Sequence, residues 1–129
     1  CRKEFKNILL AGHLGKLVKL AGGMMNTHSM YGDCRMDIIG ARAGAFGAEK
    51  NDIVRILNSA AVDAALDVIE GDKYVFENVV KSIISDAQKN IDAVLNDSCR
   101  CGILIFTNKR GLLGASRKAD DIISLWRDI

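Results

Sequence analysis

Two short stretches of this chain are continuously apolar, and most of the remainder carries apolar residues at helical spacing. The stretches are Asn7-Ile8-Leu9-Leu10-Ala11 and Gly102-Ile103-Leu104-Ile105-Phe106-Thr107. Runs of this length suit strands covered on both faces, as in a parallel sheet. Leu14, Leu17, Val18 and Ala21 predict a short helix that ends at Gly22-Gly23. Met36, Ile39, Ala43 and Phe46 predict a second helix, with Asp33 as its N-cap. Ile53, Ile56, Leu57, Ala60, Ala61, Ala64 and Val68 form one stripe and predict a third, stopping near Gly71-Asp72. Phe76, Val79, Val80, Ile83, Ala87, Ile91 and Val94 predict a fourth. Ser116 is placed to cap a last helix whose apolar face is Ala119, Ile122, Ile123 and Trp126. Stripes of this kind face a core.

The fold class that follows is α/β: a small parallel sheet, at least partly covered by several helices, in a helix-rich whole. Each strand runs into a glycine-bearing polar loop and then a helix, at residues 12–16 and 108–115. If the strands are parallel neighbours, both loops lie at the carboxyl edge, where open α/β sheets bind ligands. A two-stranded sheet is marginal by itself. Further strands are therefore expected, from an absent N-terminal part or from a segment of this chain assigned otherwise.

A length of 129 residues fits one domain, spanning 1–129, with a genuine core. The net charge is +2, from 18 basic and 16 acidic residues, which argues against a dedicated nucleic-acid binder. Aromatics make up 5% and offer no base-stacking platform. No apolar run approaches the roughly 20 residues of a membrane span, and no secretory signal pattern is present. Cys1, Cys34, Cys99 and Cys101 form no regular framework, which favours a reducing cytoplasm. Cys99-Arg100-Cys101 is too tight for a zinc knuckle, and Cys101 reads as a small residue entering a buried strand. The chain starts at Cys1 without an initiator methionine and reads as a piece of a longer protein.

Chemistry concentrates near the first strand. Gly12-His13-Leu14-Gly15-Lys16 lacks both the Walker A and the Gly-x-Gly-x-x-Gly pattern. What it offers is a helix N-terminus with exposed amides plus Lys16, which together attract a carboxylate or phosphate. A plain glycine turn with a solvated lysine fits the same spacing. Asn26-Thr27-His28-Ser29 lies between two helices on irregular backbone, where His28 could act as base, donor or metal ligand. A self-capping polar turn, in which Thr27 and Ser29 bond local amides, also explains it and is the reading that periodicity favours. Asp33 and Arg35 read as cap and flank of a helix. Asn108-Lys109-Arg110-Gly111 adds an amide and two cations at the second strand end, or is an ordinary solvated turn. Two histidines without a third ligand at a characteristic spacing make no structural metal site. No nucleophile elbow is present.

These residues carry a resemblance. Asn-Ile-Leu-Leu-Ala-Gly-His-Leu-Gly-Lys-Leu-Val-Lys-Leu-Ala-Gly-Gly at 7–23, Asn-Thr-His-Ser at 26–29 and Asp-Cys-Arg-Met-Asp at 33–37 resemble the cobalt-precorrin-5B C1-methyltransferase family of anaerobic cobalamin biosynthesis. The match is strongest over 7–47, roughly a third of the chain. At Met36-Asp37 the family pattern has an apolar residue followed by glutamate, so the carboxylate is kept but shortened. The resemblance implies a C-terminal domain whose N-terminal partner domain is absent here. It implies methyl transfer from S-adenosylmethionine to C1 of a cobalt-containing tetrapyrrole. It further implies Lys16, Lys19 and Arg35 as partners of the substrate's carboxylates, aided by the amides of Gly12–Gly15. His13 or His28 would be catalytic, by removing a proton, orienting the ring or approaching the cobalt axially. Gly12, Gly15, Lys16, Asn26, Thr27, Ser29, Asp33, Arg35 and Asn108 would bind substrate. No membrane and no nucleic acid enter this reading. No glycine-rich S-adenosylmethionine motif is visible. The alternative is a non-catalytic α/β module that binds an anionic metabolite or nucleotide.

Overall fold

The computed structural model describes residues 6–23, 34–96 and 98–127. Its elements in chain order are β1 (Asn7–His13), α1 (Leu14–Ala21), α2 (Arg35–Ala45), α3 (Lys50–Leu57), α4 (Val62–Ile69) and α5 (Lys73–Leu95), then β2 (Arg100–Thr107), β3 (Gly111–Ala115) and α6 (Arg117–Arg127). The three strands form one sheet in the order β1-β2-β3. β1 and β2 run parallel, with Asn7 beside Arg100 and His13 beside Phe106. β3 returns antiparallel to β2 through a turn at residues 108–110, with a bulge between Ile105 and Phe106. The stretch 108–115 is thus a hairpin turn and an edge strand rather than a loop. It supplies the strand that the sequence left missing.

The two faces of the sheet are covered differently. Side chains alternate along a strand, so Ile103 and Ile105 share one face and Gly102 lies on the other. Ile103 and Ile105 join the main core with Leu14, Val18, Ile39, Ile56, Leu66 and Val79 from the helical layer. On the opposite face α6 comes so close that a Cβ on Gly102 would sit 2.3 Å from the Cα of Ala119. Glycine is needed there for contact, not for chain flexibility. Ser116 caps α6 as expected: its Oγ accepts from the Ala119 amide at 3.2 Å and also from the Ile103 amide at 2.9 Å. One hydroxyl therefore fixes both the start of the helix and its seat on β2.

Three expectations need correction. The stripe from Ile53 to Val68 is two helices, because the chain breaks at Asn58–Ala61. The break resets the phase: α4 buries Val62, Ala65, Leu66 and Ile69, whereas Ala60, Ala61 and Ala64 are exposed. Trp126 and Val94, assigned to apolar faces, are 45% and 59% exposed. Cys34 occupies the N-cap position of α2; Asp33, the expected cap, lies outside the described residues. Cys101 is buried as expected, and desolvation pushes its thiol pKa up, so it is a packing residue. Among the described residues no helix is long and apolar enough to cross a membrane.

Candidate functional site

The parallel register brings the carboxyl end of β1 beside that of β2, and α1 starts immediately beyond His13. Here a cleft of about 310 Å³ opens, lined by His13, Gly15, Lys16, Lys19, Arg35, Ala61 and Val62. Three helices begin at its wall. His13 is the N-cap of α1, Arg35 is the first residue of α2, and Ala61 is the N-cap of α4. Neither Cys34 nor Ala61 caps its helix through its side chain. The first turns of three helices thus contribute to the lining, beside two lysines and a guanidinium. No carboxylate of a described residue lines the cleft. Among the described lining residues the side-chain charges are all positive.

The packing at its floor is tight. The His13 Nδ1 accepts the Gly15 amide at 2.9 Å. A Cβ on Gly15 would sit 3.2 Å from that nitrogen and 3.5 Å from Nη1 of Arg35, so residue 15 has to be small. The Phe106 ring meets the imidazole edge-on, with centroids 5.8 Å apart at 82°. Lys16 is exposed, whereas Lys19 is 4% exposed and lines the inner wall.

Of the residues singled out from sequence, the fold brings His13, Gly15, Lys16 and Arg35 together, with Lys19 beside them. Gly12 lies outside the lining; a Cβ there would meet Leu17 at 3.0 Å, so this glycine serves the packing of α1 on β1. Asn108 sits exposed in the hairpin turn, at the same edge of the sheet but outside the cleft. His28, Asn26, Thr27, Ser29 and Asp33 lie outside the described residues. Ala61 and Val62 are lining residues that sequence reasoning missed. Being apolar, they carry no chemical signal, and only the helix break at Asn58–Ala61 could have marked them.

The cations after β2 serve another purpose. Arg110, for which a solvated turn is one of two readings from sequence, has a side chain only 10% exposed. Its guanidinium donates to Asp63 at 2.6 Å and to Asp67 at 2.6 Å, and lies over the Phe76 ring at 5.7 Å. Lys109 adds a bond from Nζ to Asp67 at 2.7 Å. Burial, the largest single influence on Asp63, pushes its carboxyl up. Hydrogen bonds from Thr107, Arg110 and the Lys109 amide outweigh it, and the net pKa is lowered. Bonds from Lys109 and Arg110 lower that of Asp67 as well. This clamp ties the hairpin turn to the first turns of α4, one residue from the cleft-lining Val62.

Comparison with known proteins gives concordant matches. A family model described as CbiD, C-terminal domain, matches residues 26–117. A cobalt-precorrin-5B C(1)-methyltransferase of Thermoanaerobacter sp. (strain X514) is 33% identical over 109 residues, which is 84% of this chain and 30% of that protein. The protein of the same name from Ruminiclostridium cellulolyticum is 39% identical over 105 residues, 81% of this chain and 27% of its own length. One from Clostridioides difficile is 29% identical over 128 residues, covering 97% of this chain and 31% of the relative. The chain therefore spans about a third of the length of the curated relatives it matches. No solved structure matches it.

Proposed function

From the premise that this chain belongs to the CbiD C-terminal domain family, we propose that it supplies the anion-holding wall of a cobalt-precorrin-5B C1-methyltransferase. The observation that supports this most is the cleft where three helix N-termini converge with Lys16, Lys19 and Arg35. The substrate is a cobalt-containing tetrapyrrole with acidic side chains. Lys16, Lys19 and Arg35 hold those carboxylates, and the amide ends of α1, α2 and α4 add a fixed positive potential. Orientation is the main service, since displacement at a methyl carbon demands that nucleophile and leaving group be in line.

S-adenosylmethionine supplies the methyl group as a sulfonium, whose positive charge suits this cationic wall poorly. The methyl donor is therefore expected to be held away from this wall in the complete enzyme. The reaction site is then shared between domains. This chain alone is expected to bind a corrinoid carboxylate yet turn over nothing. Assaying it beside the complete enzyme with a cobalt-precorrin checks this, and full turnover by the isolated chain would refute a shared site.

Charge reversal tests the wall directly. Lys16→Glu is expected to weaken cobyrinic acid binding, measured by calorimetry, by roughly ten- to thirtyfold, about 1.4–2 kcal/mol. Lys16 is exposed, so the melting temperature should hold. The alternative reading, a module for nucleotides or other anionic metabolites, predicts that ATP binds at least as well as the corrinoid. Selectivity for the corrinoid counts against it.

A further inference from the structure

The two nitrogens of His13 are not equivalent in this fold. Nδ1 accepts the N–H of Gly15 at 2.9 Å, closing the first turn of α1. A backbone amide can only donate, so Nδ1 carries a lone pair there and no proton. In a neutral imidazole the proton then sits on Nε2. We infer that His13 acts in this cleft as a hydrogen-bond donor of fixed tautomer, through Nε2–H, and neither as a general base nor as a ligand to a substrate's metal. Both excluded roles need a lone pair turned toward the reactant. The one lone-pair nitrogen of this ring already holds the amide of α1. A base would have to take up its proton where the Gly15 N–H points, and a metal ligand would have to give up the cap.

The surroundings hold the ring in that state. The Phe106 edge contact restricts its tilt, and the narrow space at Gly15 keeps it close to the helix terminus. His13 lines the cleft with Lys16, Lys19 and Arg35, and an N–H donor among these cations complements a carboxylate. That this carboxylate belongs to the corrinoid rests on the function proposed above; the tautomer does not.

Long-range proton–nitrogen correlation spectra of the labelled chain near neutral pH read the tautomer without any ligand. An unprotonated Nδ1 and a protonated Nε2 are expected; the reverse assignment, or a rapidly averaging pair, overturns the inference. Cobyrinic acid titrations provide the second arm. His13→Ala removes cap and donor together, and about tenfold weaker binding is expected. His13→Asn restores a short acceptor for the cap and an N–H, and should recover affinity to within about threefold of the parent chain. An Asn variant as weak as the Ala variant sinks the donor role. So does a complete enzyme carrying His13→Asn that binds substrate normally but loses turnover. If the parent chain takes up no cobyrinic acid, the functional reading of the cleft fails, and the spectrum still decides the tautomer.

Discussion

Gly102→Ala is expected to unseat α6 and lower the melting temperature by roughly 10 °C. The added Cβ would lie 2.3 Å from the Cα and 2.4 Å from the amide nitrogen of Ala119. These are backbone atoms of a helix, which no rotamer change can move aside. The helix must shift as a body, away from the Ile103 amide that Ser116 accepts and from the seat of Ile122. Overpacking of this severity costs about 3 kcal/mol, at the upper end of the usual range. In a domain of this size each kcal/mol is worth ~4 °C. Ala119→Gly should fail to rescue the variant, because the Cα and nitrogen remain. Thermal unfolding followed by circular dichroism decides it. A melting temperature within a degree or two of the parent would mean that α6 is not seated on β2 as described.

The second large effect concerns the clamp on α4. Arg110→Met keeps an unbranched side chain over Phe76 but removes the charged bonds to Asp63 and Asp67 and the longer ion pair to Glu70. Breaking a buried pair costs several kcal/mol, whereas exposed pairs are worth under one. Arg110 is 10% exposed but its partners are more open, so about 2 kcal/mol is expected. The pH dependence separates this from a packing effect. Both aspartate carboxyls have folded pKa values below the ordinary 3.8. Their contribution is complete above the unfolded value and disappears as pH falls through the folded ones. The parent and the Met variant should therefore differ by a constant amount at pH 5 and above (about one unit clear of the transition), begin to converge near pH 4 and meet only below the lowered folded values. Urea titrations at a series of pH values test this, and curves that stay parallel to pH 2 would rule out a charge-based clamp.

Much of this architecture is legible in the amino-acid order because burial imposes a period. Ile103 and Ile105 in β2, Leu14 and Val18 in α1, and Val79 and Ile83 in α5 are apolar where the core demands it. The parallel pairing followed from strands too apolar for an exposed face. β3 escaped notice because Gly-Leu-Leu-Gly-Ala has two glycines and an exposed Leu112, so an edge strand there leaves no alternation. The α3–α4 break escaped because small residues at Ala60, Ala61 and Ala64 imitate a continuing stripe, with no proline or glycine to interrupt it. The site is a different matter. Gly15, Lys16 and Arg35 are visible as chemistry, but the third helix N-terminus at Ala61 is a product of tertiary packing alone. Likewise Arg110 and its acceptor Asp63 stand 47 residues apart, and nothing local distinguishes that arginine from a solvated one.

The pairing of β1 with β2 also governs how such a chain is made. Its parallel ladder joins residues 7–13 to residues 100–106, so well over half of the chain separates the partners. Closing so long a loop delays the reward until late in folding. During synthesis β1 leaves the ribosome well before β2 exists, and Ile8, Leu9 and Leu10 spend that interval without the strand that pairs with them here. Aggregation during biogenesis should therefore track the hydrophobicity of this early strand more closely than the stability of the finished domain.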